Sequence, residues 1–242
     1  MNTITAIGKY KGDYTTEKGI RTLIINLPGK GKNPEAPLFV VPTYPSQNSC
    51  TPGVFEKDTP LLIIGRLYSG NYSQGDNNMY VFPTQELQQM PTEVELNHVS
   101  LAGSNGKPVE RGKNLENVVT FGVFCKAPSQ KAISYNKMEG DVGFICEAWD
   151  ESASIIEKWL YPGRGTAIGA SLIYQSWVDK NSGEPRHRYQ MRVKNNQFSF
   201  FGKNKPEEKK TEPAVYESPH QQAISKPNPP AVKKQVDDGI PF

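Results

Sequence analysis

The chain repeats itself, and the repeat limits the possible folds more than any other feature. Asn2-Thr3-Ile4-Thr5-Ala6-Ile7-Gly8 matches Asn97-His98-Val99-Ser100-Leu101-Ala102-Gly103 at an offset of 95 (97 − 2). The same offset lays Ile20, Leu23 and Ile24 on Leu115, Val118 and Val119. Further along, the offset becomes 105 (144 − 39): Phe39-Val40-Val41 falls on Phe144-Ile145-Cys146, and Leu67 on Leu172. A duplication with roughly ten residues added to the second copy, near Lys126 to Gly140, explains both offsets. At 242 residues the chain has room for two domains of roughly 100 residues each and a remainder.

Each copy reads as a set of short strands. In the second, Asn97 to Gly103 alternates, Asn117 to Cys125 is rich in Val and Phe, and Asp141 to Cys146 is a short apolar run. Thr166 to Trp177 is a longer run, and a turn at Lys180-Asn181-Ser182-Gly183 leads into Arg186 to Val193. Between the third and fourth strands, Asp150 to Leu160 reads as a helix, with Asp150 as its cap and Pro162-Gly163 as its stop. Three strands, a helix and a hairpin is the order of an OB fold, a partly open five-stranded barrel. The first copy has the strands, but Pro42, Pro45 and Pro52 occupy the helix position, so an irregular loop is expected there. The expected fold is therefore mainly β: two tandem OB folds, each a five-stranded Greek-key barrel, over residues 1–92 and 96–203.

If 180–183 form the hairpin loop, Trp177 faces Arg186, Gln175 faces Arg188, Ile173 faces Gln190 and Ser171 faces Arg192, all on one side. The other side then holds Tyr174 with Tyr189, Leu172 with Met191 and Ala170 with Val193. A slip of one residue would bury the arginines, so this register is strongly preferred. A tryptophan among arginines is what holds a nucleic-acid single strand: cations follow the phosphates and rings stack under the bases, at about 1–3 kcal/mol per base. The alternative is that Trp177 covers the barrel rim and the arginines only solvate the sheet.

Other positions are read with the same two options in view. Trp149 stands at the strand–helix junction, within reach of the groove, and Trp159 fits the apolar side of the helix with Ile155 and Ile156, where core packing is expected. In the first copy Tyr72 falls on Trp177, with Arg66, Tyr68, Tyr80 and Phe82 nearby. Lys30 and Lys32 make a basic glycine-rich loop without the GxxxxGK[ST] pattern, so no nucleotide triphosphate site is read there. Cys50, Cys125 and Cys146 contain no CxxC pair, which argues against a zinc or redox site, and Cys146 reads as a small buried hydrophobe. No metal or cofactor is expected. A net charge of +3 is too small to identify a partner without knowing where the charges sit. No signal-peptide pattern or bilayer-length apolar segment is present, so a soluble cytoplasmic protein is expected.

From Asn204 the composition changes. Residues 204–236 are dense in Lys, Glu, Pro, Gln and Ser, with few large aliphatics, and are expected to be a disordered linker. The chain then closes on Asp237-Asp238-Gly239-Ile240-Pro241-Phe242. Read from composition, 237–242 is either a frayed end or a hook, with Ile240 and Phe242 for an apolar pocket and the acids for a basic rim.

That terminus resembles the acidic tip of the bacterial single-stranded DNA-binding protein family, closing in Ile-Pro-Phe after a Pro-rich tail. Asn97 to Gly103, with Pro108 and Glu110, resembles the family's opening strand; Ala153 to Leu160 resembles its helix, and Ser176-Trp177-Val178-Asp179 with Gly183 its fourth strand and hairpin. Residues 97 to 203 are well covered, and residues 1 to 90 weakly, chiefly through Leu61 to Tyr68 and Tyr72. The resemblance implies sequence-independent binding of single-stranded DNA, without catalysis, in replication, recombination and repair. It places Trp177 and Trp149 at stacking positions, and it implies that Asp237, Asp238, Ile240, Pro241 and Phe242 dock partner enzymes. Gly143 and Ala127 stand where other stackers are usual, so those contacts are lost, and Phe124 or Tyr135 is the candidate replacement. Arg186, Arg188 and Arg192, with Arg66, Tyr68 and Tyr72 in the first copy, complete the expected DNA-binding set. Two OB folds per chain resembles the minority arrangement in which a homodimer supplies four folds, in a nucleoid-associated protein. A replication adaptor whose first OB fold binds protein is the second reading. An OB-fold nuclease is disfavoured, since neither HExxH nor G-x-S-x-G nor a metal-binding carboxylate cluster is present.

Overall fold

Runs in which every second residue is apolar become strands that bury one face, and here they close twice into barrels. The computed structural model describes residues 1–15, 21–41, 55–69, 78–92, 94–112, 115–126 and 141–202. The first barrel comprises β1 (Asn2–Thr15), β2 (Arg21–Leu27), β3 (Ala36–Val40), β4 (Pro60–Ser69) and β5 (Met79–Pro83), with β6 (Gln88–Gln89) alongside β4. The second comprises β7 (Asn97–Asn105), β8 (Glu110–Arg111), β9 (Val118–Lys126), β10 (Asp141–Trp149), α1 (Asp150–Trp159), β11 (Gly165–Val178) and β12 (Pro185–Phe201). In the first barrel β1 pairs with β2 and β4, β2 with β3, β3 in parallel with β5, and β5 with β4. β7, β9, β10, β12 and β11 repeat that closed circuit. Both are OB folds, as expected.

Hydrogen-bond registers refine the repeat. Ile4 pairs with Gly65 as Val99 pairs with Ala170, so the offsets of 95 and 105 hold for the first and fourth strands. Lys9 pairs with Asn26 as Ser104 pairs with Phe124, which makes the second-strand offset 98 (124 − 26). Leu23 is therefore equivalent to Phe121, not Val118. Leu23 pairs with Val40 as Phe121 pairs with Cys146, giving 106 (146 − 40) for the third strand, one more than expected. Runs of adjacent aliphatic residues match in several alignments, and only the backbone ladder selects one.

The barrels are joined by their first strands. β1 and β7 run antiparallel from the pair Asn2 and Leu101 to the pair Ala6 and Asn97. Ile4 lies opposite Val99, its own equivalent, so a local two-fold axis passes between them. The glycines matched in sequence are also explained: a Cβ on Gly8 would meet the Asn26 carbonyl oxygen at 2.8 Å, and one on Gly103 the equivalent Phe124 oxygen at 2.1 Å. Side chains cannot enter where the second strand crosses so closely.

α1 lies against the second barrel with Ala153 and Ile156 buried, and Leu160 is buried just beyond it. Its start differs from expectation. Trp149 occupies the N-cap position, and Asp150, at φ 52°, accepts a hydrogen bond from Asn117 Nδ2 (2.9 Å) without capping the helix. The helix ends at Trp159, before Pro162-Gly163, and Gly163 takes φ 85°. Trp159 is 47% exposed with Lys158 over its ring, which corrects the core assignment. The inward stripe is filled by Ser152, Ala153, Ile156 and Leu160, so the indole remains outside. Among the described residues no helix is long and apolar enough to cross a membrane. The proline-rich stretch 42–54 and residues 203–242, including the expected linker and tip, lie outside the described residues.

Candidate nucleic-acid interface

The β11–β12 hairpin has the expected register, from Ala170 opposite Val193 to Trp177 opposite Arg186. Asp179 shapes its tip by accepting hydrogen bonds from the backbone N–H groups of Asn181 and Ser182, which hold its carboxyl below the usual range. Leu172, Met191, Ala170 and Val193 are buried, as the alternation requires. Tyr174, His187 and Tyr189 cluster on that same side through tilted and edge-on ring contacts, and the Tyr189 hydroxyl donates to the Pro37 carbonyl in β3 (2.5 Å). The hairpin therefore leans on the first barrel. On the other side the expectation of an open face holds only in part. Ile173 and Gln190 are buried, and Ile173 lines a cleft between the barrels with Pro28, Pro34 and Ala36.

That face carries two aromatic–cation pairs, one exposed and one half-buried. At the hairpin end, Trp177 is 45% exposed, and the Arg188 guanidinium lies 5.7 Å from its ring centroid while donating to Gln175 Oε1 (2.8 Å). Arg186, opposite Trp177, is exposed beside Glu184 (3.1 Å). Four residues further along β12 from Arg188, Arg192 lies 5.3 Å from the ring centroid of Trp149 at the end of β10. Its Nε donates to Glu147 Oε1 at 2.5 Å, and Glu147 is only 5% exposed. The Trp149 indole N–H is buried with no acceptor among the described residues. Glu147 was not anticipated, because its pairing with Arg192 comes from the parallel β10–β12 ladder, a contact between distant segments. Its signal was a lone acid inside an otherwise apolar strand.

Phe124 is half-buried, opposite Gly143, and lines an apolar cleft with Pro108, Phe121, Phe144 and Ile145. In the first barrel Arg66 is exposed. Tyr68 is a correction: it is 5% exposed, edge-on to Phe82 at 6.5 Å, so its ring is committed to packing. Tyr72, Tyr135 and the tip residues Asp237, Asp238, Ile240, Pro241 and Phe242 lie outside the described residues. Lys30 forms an exposed ion pair with Glu95 (3.8 Å) at the mouth of the inter-barrel cleft. Cys125 and Cys146 are buried free thiols; burial pushes Cys125 up to about 11 and Cys146 well above its ordinary value. At the seam, burial and the neighbouring Lys194 depress the His98 imidazole. Among the described residues no group of three His, Cys, Asp or Glu side chains could hold a metal ion.

The paired five-stranded barrels have the OB architecture. The fold is also that of the single-stranded DNA-binding protein of Thermus aquaticus. Its wild-type crystal structure superposes with a TM-score of 0.52 over 85% of this chain and 95% of that one, at 17% identity. A deletion variant of the same protein gives 0.54 over 86% and 98%, at 15% identity. No protein-family model matches the sequence. No curated protein matches it either.

Proposed function

We propose that this chain is a tandem-OB single-stranded DNA-binding protein that holds the strand without regard to sequence and without catalysis. The observation that carries the reading is the two aromatic–cation pairs on one sheet face, exposed Trp177 with Arg188 and half-buried Trp149 with Arg192. Rings in such a setting stack on any base, and the cations meet phosphates. The fold shared with the Thermus aquaticus protein supports it. In this reading two chains associate to present four barrels in the cytoplasm, serving replication, recombination and repair. The acidic and apolar residues from Asp237 to Phe242 recruit the enzymes that act there, supported by the chemistry of that terminus.

The test is tryptophan fluorescence during titration with poly-dT at low and high salt, with wild type, Trp177→Ala and Arg186→Ala/Arg188→Ala. Quenching that weakens with salt is expected, with a slope of about −0.7 for each phosphate neutralised. Loss of Trp177 should weaken binding roughly tenfold or more. Absence of quenching and of binding at low salt would sink the reading. Full binding by the double arginine variant would instead favour a protein-binding adaptor. Light scattering reads the dimer, and truncation before Asp237 reads the recruiting terminus.

A further inference from the structure

The two tryptophan–arginine pairs are built alike, on anchors of different charge. Arg188 donates through Nε to Gln175 Oε1 (2.8 Å), and Arg192 donates through Nε to Glu147 Oε1 (2.5 Å). A guanidinium held by Nε is fixed in place while both Nη groups stay available to an anion. Among the described residues neither arginine uses its Nη groups in a hydrogen bond. Gln175 is neutral and half-buried, whereas Glu147 is an acid buried within β10. At the Trp177 end, Arg186 and Arg188 stand against one exposed acid, Glu184, and leave a net positive charge. At the Trp149 end, Arg192 and Glu147 cancel.

The first barrel shows that the fold does not need this ion pair. Glu147 and Arg192 face each other across the parallel β10–β12 ladder, as strands β3 and β5 pair in the first copy. Offsets of 106 (146 − 40) and 110 (191 − 81) between those ladders make Val41 and Phe82 their equivalents, and both are buried. A well-packed apolar pair stabilises a barrel as much as a buried ion pair does, or more. The consequence of the charges in the second barrel therefore lies at the surface they support. A phosphate cannot draw Arg192 off Glu147 without stranding a desolvated carboxylate. A strand passing Trp149 thus meets a neutral pair, and neutralising no net phosphate charge there releases few counterions.

We propose that Glu147 is a positioning residue that holds Arg192 in place and cancels its charge, so that the face has a salt-sensitive end at Trp177 and a salt-insensitive end at Trp149. The inference rests on the single-strand reading above, and the two can fail separately. As salt rises, the strand leaves Trp177 first and Trp149 last. The test is poly-dT titration of the full chain from about 50 to about 200 mM salt. Glu147→Gln keeps an anchor but removes its charge, so the salt slope should steepen by up to about 0.7, roughly a threefold larger fall in affinity over that range. Gln175→Glu, the reciprocal change, should flatten the slope by a similar amount. Glu147→Val/Arg192→Phe installs the first barrel's pair, and its Tm and salt slope should both stay close to wild type. Quenching in Trp177→Phe, which keeps Trp149 and Trp159, should weaken less with salt than quenching in Trp149→Phe. A full 0.7 lost from the slope of the double variant, or an unchanged slope in Glu147→Gln, would overturn the proposal and leave single-strand binding standing. Should Glu147→Gln not fold, the double variant and Gln175→Glu decide, and an unchanged slope in Gln175→Glu counts against it. No binding by wild type at low salt would refute the single-strand reading and this inference with it.

Discussion

Arg192→Ala tests whether the arginine beneath Trp149 is there for DNA alone. Its partner Glu147 is 5% exposed, the Arg192 side chain is 35% exposed, and Arg192 Nε donates to Glu147 Oε1 at 2.5 Å. Removing one member of a buried ion pair costs about 3–5 kcal/mol, because a desolvated charge is left uncompensated. Solvent reaching Arg192 screens the pair, so about 2–3 kcal/mol is the expected loss. For a unit the size of Met1–Lys205, each kcal/mol moves Tm by about 2–4 °C, so thermal unfolding should fall by roughly 5–10 °C. Adding Glu147→Gln should recover most of this, since the amide carries no charge to strand. A double-mutant cycle by urea titration measures the coupling. The carboxylate also offsets the guanidinium charge, so Arg192→Ala should flatten the salt dependence of poly-dT binding by less than the 0.7 of a free phosphate contact. An Arg192→Ala protein within about 0.5 kcal/mol of wild type, a level typical of surface substitutions, or a double variant no more stable than the single one, would refute this account.

Three further outcomes are expected. His98 is depressed by burial and by Lys194, so its folded state resists protonation; that stability is present above its unfolded value of 6.5 and is lost as pH falls below it. Urea titrations of wild type and His98→Gln at pH 7.5 and 5.5 should show the wild type losing more. Gly103→Ala places a Cβ 2.1 Å from the Phe124 carbonyl oxygen, forcing β7 and β9 apart at a cost of about 1–3 kcal/mol, to be read as a lowered Tm. In a Cys50→Ser background the buried Cys125 and Cys146 thiols should ignore a disulfide reagent at pH 8 and react only on unfolding, followed by absorbance.

Local pattern was enough to read much of this molecule. The alternation through Ser171, Leu172 and Ile173 set the hairpin register, since a one-residue slip would have buried three arginines. The opening strands of the two copies matched because Gly8 and Gly103 meet the same crossing backbone. Matching failed at Leu23 and Phe39, where one aliphatic or aromatic residue serves as well as its neighbour and the backbone ladder decides.

The number of barrels, the strand order and the side of the hairpin that carries Trp177 and its arginines were legible in local pattern, because period-two burial is a local property. Which outward residues remain open was fixed by contacts between distant segments. The hairpin's lean on β3 accompanies burial of Ile173, and the β10–β12 ladder ties Arg192 to Glu147. Each depends on segments far apart in the chain, whose meeting is set by closure of the barrels and not by any neighbouring residue.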